Sequence, residues 1–139
     1  MKINYLFILI ILNIILIGCT SGEKLIAGET INVDIQSPHP YADSNSDTKI
    51  VWTSELKNDN ATWLRIHFNK LELMDGDFLI IKDKKGNILE NITLPYRGNP
   101  RNENIWTIPY KTNQLIFELH ADSSGNAFGI YIDSYGRGF

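Results

Sequence analysis

Three carboxylates stand within six positions of one another: Glu72, Asp75 and Asp77. At that spacing they repel unless water screens them or a cation sits between them. Other groups with chemical potential are less organised. His39, His67 and His120 carry imidazoles, but no HExxH, GxSxG or Cys–His pattern accompanies them. His67 and His120 fall at solvent-face positions of alternating strands, which argues against zinc or acid–base work. Asp43 to Asp47 imitates the opening of an EF-hand loop. Thr48 stands where its glycine belongs and Ser54 where its closing glutamate belongs, with no flanking helices, so that site is excluded. Trp52, Trp63 and Trp106 offer indoles for stacking on a sugar. Core packing accounts for Trp52 and Trp106 at strand positions, and Trp63, just after a turn, is expected to be exposed.

The acids sit between two expected strands. Leu64, Ile66 and Phe68 alternate with Arg65 and His67, and Phe78 to Ile81 form a short apolar run closed by Asp83, Gly86 and Asn87. Alternation, then an apolar run, then a Gly-Asn stop is the signature of a strand pair joined by a corner. Further alternating segments are predicted as strands over 30–36, 49–55, 88–94, 114–120 and 127–134. Residues 106–110 read as an edge strand broken by Pro109. Pro38 and Pro40 hold residues 37–41 extended or turning. Residues 95–104 read as a long exposed loop. No segment after Cys19 keeps a helical period over three turns. Eight or so short strands at regular spacing predict an all-β chain, a two-sheet antiparallel β-sandwich or barrel.

The first residues read as an export signal rather than fold. Lys2 precedes an apolar run from Ile3 to Ile17, and Leu16-Ile17-Gly18-Cys19 resembles the lipobox of bacterial lipoproteins. That implies cleavage after residue 18, lipid on Cys19 and membrane attachment through it. A transmembrane helix is the competing reading, but the run is short for a span. Cys19 is the only cysteine, so no disulfide can form within the chain and the core must suffice. Removing 18 of 139 residues leaves 121, enough for one domain. Without Lys2, 12 basic side chains face 16 acidic ones, a net of −4 that argues against a nucleic-acid partner. Thr20 follows the cysteine, and the absence of aspartate there favours the outer membrane in a Gram-negative envelope.

The order of these pieces resembles a CUB domain, a jelly-roll-like β-sandwich. The matching residues are Ser37-Pro38-His39-Pro40-Tyr41, Trp52, Ile66-His67-Phe68 with Leu71-Glu72-Leu73, and Asp77-Phe78-Leu79 with Ile81 and Asp83. Gly86-Asn87, Trp106, the 115–119 alternation, Asp122-Ser123-Ser124 and Phe128 to Asp133 complete the order. It is most similar to the bacterial type that lacks disulfides. The expected layout is a signal peptide (1–18), a tether (19–28), the domain (29–135) and a short tail (136–139).

Many CUB domains bind one Ca²⁺ at one end of the sandwich. The resemblance implies Glu72, Asp77 and Asp122 as ligands, with the carbonyl of Ser123 and, one position off the family pattern, Asn126. Tyr41 would steady the site by hydrogen bonding. Hard oxygens from separate loops suit Ca²⁺, which takes six to eight of them without strict geometry. The implied function is a non-enzymatic binding module in the bacterial envelope, lipid-anchored and facing outside the cytoplasm. Its partner would be a protein or carbohydrate at the calcium end. The alternative is a metal-free envelope protein that supports a larger complex. A hydrolase is disfavoured by the small size and the lack of a nucleophile motif.

Overall fold

The computed structural model describes residues 28–43, 49–122 and 125–139. The signal segment, Cys19 and Ser123 lie outside the described residues. Eight strands form the domain: β1 (Gly28–Gln36), β2 (Lys49–Lys57), β3 (Trp63–Glu72), β4 (Phe78–Asp83), β5 (Ile88–Ile92), β6 (Glu103–Trp106), β7 (Gln114–Ala121) and β8 (Gly129–Gly138). They make two four-stranded antiparallel sheets, in the orders β1-β8-β3-β6 and β2-β7-β4-β5. A 3-10 turn at Tyr96–Gly98 is the only helical piece among the described residues. The chain is an all-β sandwich, as its alternation predicts.

Period two explains the layers, because successive side chains on a strand point to opposite faces. On β7, Leu115, Phe117, Leu119 and Ala121 are fully buried, and the residues between them are half-buried on the outer face. On β3, Leu64, Ile66 and Phe68 point inward while Trp63, Arg65 and His67 point outward. The central apolar run of β4 is buried without alternation, at Leu79, Ile80 and Ile81. Tyr41, Ile130 and Ile132 join the same core cluster.

Three expectations about the strands need correction. First, β3 and β4 are not a hydrogen-bonded pair. β3 lies between β8 and β6, and β4 lies between β7 and β5. The acidic corner crosses from one sheet to the other, with Leu71 and Leu73 buried on its inner side. The hairpin in this stretch is β4–β5. There Asp83 accepts hydrogen bonds from the backbone N–H of Lys85 (2.8 Å) and Asn87 (2.9 Å) and from Asn87 Nδ2 (2.8 Å). Second, the last strand does not stop near Tyr135. β8 continues through Gly136 to Gly138 and pairs with both β1 and β3 to its end. Third, the edge strand at 106–110 lies earlier, at 103–106. Pro109 follows it, and Tyr110 adds only an isolated bridge to Leu64.

The 95–104 connection is not wholly exposed, because it seals the side where β5 and β6 are the edge strands. Tyr96 is 4% exposed. Glu90 accepts from Tyr96 Oη (2.9 Å), from Arg97 Nη2 (3.0 Å) and from Tyr110 Oη. Burial pushes the Tyr96 hydroxyl up to about 12. The Arg97 hydrogen bond pulls against burial, and the Glu90 carboxylate adds to it. Burial and Glu90 push Tyr110 up as well.

Phe117 is fully buried between the sheets. Phe117→Ala is expected to cost about 3–5 kcal/mol, read as a lower urea midpoint with an unchanged slope.

Candidate functional site

The strand directions bring four sets of described connecting residues to one end of the sandwich: 37–43, 73–77, 93–102, and 122 with 125–128. Asp77 opens β4 there and is 2% exposed. Its carboxylate holds three separate segments together. Tyr41 Oη donates to Asp77 Oδ2, and the backbone N–H of Asp122 donates to Asp77 Oδ1 at 3.0 Å. The Tyr41 oxygen in turn accepts from the Met74 N–H at 2.9 Å. The Asp77 N–H closes the corner on the Met74 carbonyl at 3.1 Å. A buried carboxylate is tolerable when its lone pairs are met this way.

Gly76 makes the close approach possible. Its φ of +92° suits glycine, and a Cβ there would come within 2.7 Å of Asp122 Oδ2. The Asp122 carboxylate therefore lies against the corner backbone, close to where Asp77 is held. Gly125 packs towards Met74, since a Cβ on it would meet Met74 Cε at 3.3 Å. Burial raises the Tyr41 hydroxyl well above the ordinary phenol range, and its hydrogen bond to Asp77 raises it further.

Tyr41, Asp77 and Asp122 thus come together. Asn126 is exposed on the same connection as Asp122. Glu72 is exposed at the end of β3, and its carboxylate reaches Lys70 Nζ at 3.3 Å. Asp77 and Asp122 supply hard oxygens of the type that Ca²⁺ takes. Among the described residues, no three His, Cys, Asp or Glu side chains form a group that could hold a metal.

A second constellation escaped the sequence reading. It lies on the outer face of the β1-β8-β3-β6 sheet. The Arg65 guanidinium sits 4.3 Å from the centre of the Trp106 ring, and the His67 ring packs on the same indole at 4.8 Å. Trp106 is therefore an outer-face residue rather than a core one. Asp133 accepts from His67 Nδ1 (2.6 Å) and from Asn69 Nδ2 (3.1 Å). Burial pushes the Asp133 carboxyl up, but the hydrogen bonds from His67, Asn69 and Ser134 outweigh it and hold the carboxyl below its usual range. The period-two placement of Trp63, Arg65 and His67 was legible in sequence; their partners on β6 and β8 were not. His67 and His120 face outward as expected, yet both are largely covered, His120 by the Phe78 ring at 4.7 Å.

No family model matches the chain. The secreted RxLR effector protein 73 of Plasmopara viticola is 27% identical over 127 residues. That match takes in 86% of this chain, which spans only 28% of the effector's length.

Asp77→Ala removes the acceptor of two donors held at the buried end. It is expected to lower stability by about 1–3 kcal/mol in urea denaturation. Tyr41, Tyr96 and Tyr110 all have raised pKa values in the fold. The stability they contribute is complete below the unfolded phenol value of about 10 and is lost as pH rises above it. Phenolate absorbance from these three is expected only together with unfolding, followed in parallel by circular dichroism.

Proposed function

We propose that this chain is a lipid-anchored, extracytoplasmic binding module of CUB type, and that it works by recognition rather than catalysis. The observation that carries this reading is the buried Asp77 carboxylate. It ties the Tyr41 segment, the acidic corner and the Asp122 loop into one preorganised tip. Recognition surfaces built from loops gain affinity when the scaffold fixes those loops in advance.

The strand directions support the anchoring part. β1 begins at Gly28, at the end opposite Asp77. A tether from lipidated Cys19 would enter there, and the Tyr41–Asp77–Asp122 tip would point away from the membrane. The match to a protein described as secreted fits a setting outside the cell that makes it.

Ca²⁺ at this tip would be held by Asp77 and Asp122, with the Ser123 carbonyl, Asn126 and Glu72 completing the oxygens. It would present a positive charge among acids, to which a protein or carbohydrate partner could add its own oxygens. A metal-free structural role is favoured by one specific observation. Both oxygens of Asp77 already accept hydrogen bonds, and Glu72 is engaged with Lys70.

Melting of the full chain in EDTA and in millimolar Ca²⁺ separates the two readings. A ligand at 100 times its Kd stabilises the folded state by roughly 2.7 kcal/mol, so the calcium reading requires a rise of several degrees. That rise should vanish in Asp122→Ala. Equal melting temperatures in the parent would leave the metal-free role.

A further inference from the structure

A groove of about 450 Å³ runs along the outer face of the β1-β8-β3-β6 sheet, near the end opposite Asp77. Trp63, Arg65, Glu29, Thr30 and Gly136 line it. The volume is in the range of small-ligand sites.

Its floor is built for a flat ligand. The Trp63 indole lies across the backbones of β1 and β8, where glycines leave room for it. A Cβ on Gly28 would come within 2.9 Å of Trp63 Cζ2, and one on Gly138 would overlap the indole. Arg65 uses the same device, since a Cβ on Gly136 would lie 2.9 Å from its Nε. An aromatic ring laid along a sheet in this way offers a broad apolar face at low entropic cost.

Its charge is incomplete. The Arg65 Nε–H is buried with no acceptor, and the guanidinium has a ring contact with Trp106 but no carboxylate partner among the described residues. That Nε–H lies against Gly136 of β8, out of a ligand's reach, so a ligand in the groove can pair only with the terminal nitrogens of the guanidinium. Glu29 is already neutralised, because Arg137 Nε donates to it at 2.6 Å. The groove therefore keeps the single positive charge of Arg65, on a chain whose net charge is −3.

We propose that this groove binds an acidic saccharide. The apolar face of a pyranose ring rests on Trp63, and its carboxylate pairs with the Arg65 guanidinium. A guanidinium matches a carboxylate through two parallel hydrogen bonds. Thr30 places a hydroxyl at the groove for the sugar's own hydroxyls. One cation beside one flat ring fits a charged sugar better than an acidic peptide, which would want several cations in a row. This site is separate from the Asp77 tip and does not depend on calcium there.

Calorimetric titration of the full chain in EDTA tests this directly. The probes are oligomers of galacturonate, glucuronate and mannuronate, their neutral methyl esters, and a glutamate-rich peptide. At least one uronate should bind, and its ester should bind roughly tenfold more weakly or worse. Arg65→Gln and Trp63→Ala should each cause a loss of similar size, and Arg65→Lys should recover only part of the affinity. Melting curves establish that each variant is folded; the ester comparison needs no variant at all. Absence of uronate binding overturns the proposal. So does equal binding of acid and ester, full affinity in folded Arg65→Gln, or a peptide that binds as tightly as the sugar. Because EDTA is present throughout, a failure here is distinct from a failure of the calcium reading.

Discussion

The molecule depends on apolar burial between two sheets, because nothing covalent holds them together. The single cysteine, Cys19, cannot form a disulfide within the chain. The described core draws on every strand, through fully buried Leu64, Ile66 and Phe68 on one sheet and Leu79, Ile81, Leu115, Phe117 and Leu119 on the other. Each such side chain contributes about 1.5–3 kcal/mol relative to exposure, against the entropy of ordering the chain. Alternation along the strands is the means by which one sequence covers a sheet's inner face and leaves its outer face polar.

The core also explains the polar clusters at the margins. A sandwich has open ends and open sides where its apolar layer stops. Backbone and side-chain polar groups at these margins must find partners once water is excluded. Asp77 does this at one end, taking donors from Tyr41 and Asp122. Glu90 does it at the β5–β6 side, taking donors from Tyr96, Arg97 and Tyr110. The two clusters share one design, a carboxylate held by tyrosines. They differ in setting. Glu90 carries an arginine and ties two edges together; Asp77 sits beside a second carboxylate, Asp122. That difference sets the Asp77 tip, which we propose for recognition, apart from the Glu90 clasp.

The outer face of the β1-β8-β3-β6 sheet follows a third logic. Glycines at 28, 136 and 138 remove side chains from two neighbouring strands, and Trp63 and Arg65 lie down in the space left. A glycine in a strand weakens it, so close approach of another group is the usual reason for one. Here the approaching groups come from the protein's own β3.

The sequence by itself determined the strand count, the all-β class and which residues of β3 and β7 face inward, because period two is a local property of a pleated chain. It also marked Asp77 and Tyr41 as residues of interest, and Asp83-Gly86-Asn87 as a true turn with its own side-chain hydrogen bonds. Only the tertiary structure decided that the corner after β3 crosses between sheets, since a hairpin and a crossing corner present the same alternation and the same polar break. It also decided that β8 runs to Gly138, because glycines at 136 and 138 carry no side chain from which alternation could be read. The pairings of Arg65 with Trp106, of His67 with Asp133 and of Asp77 with Asp122 join residues more than 40 positions apart. Strand order, which no local pattern encodes, sets them.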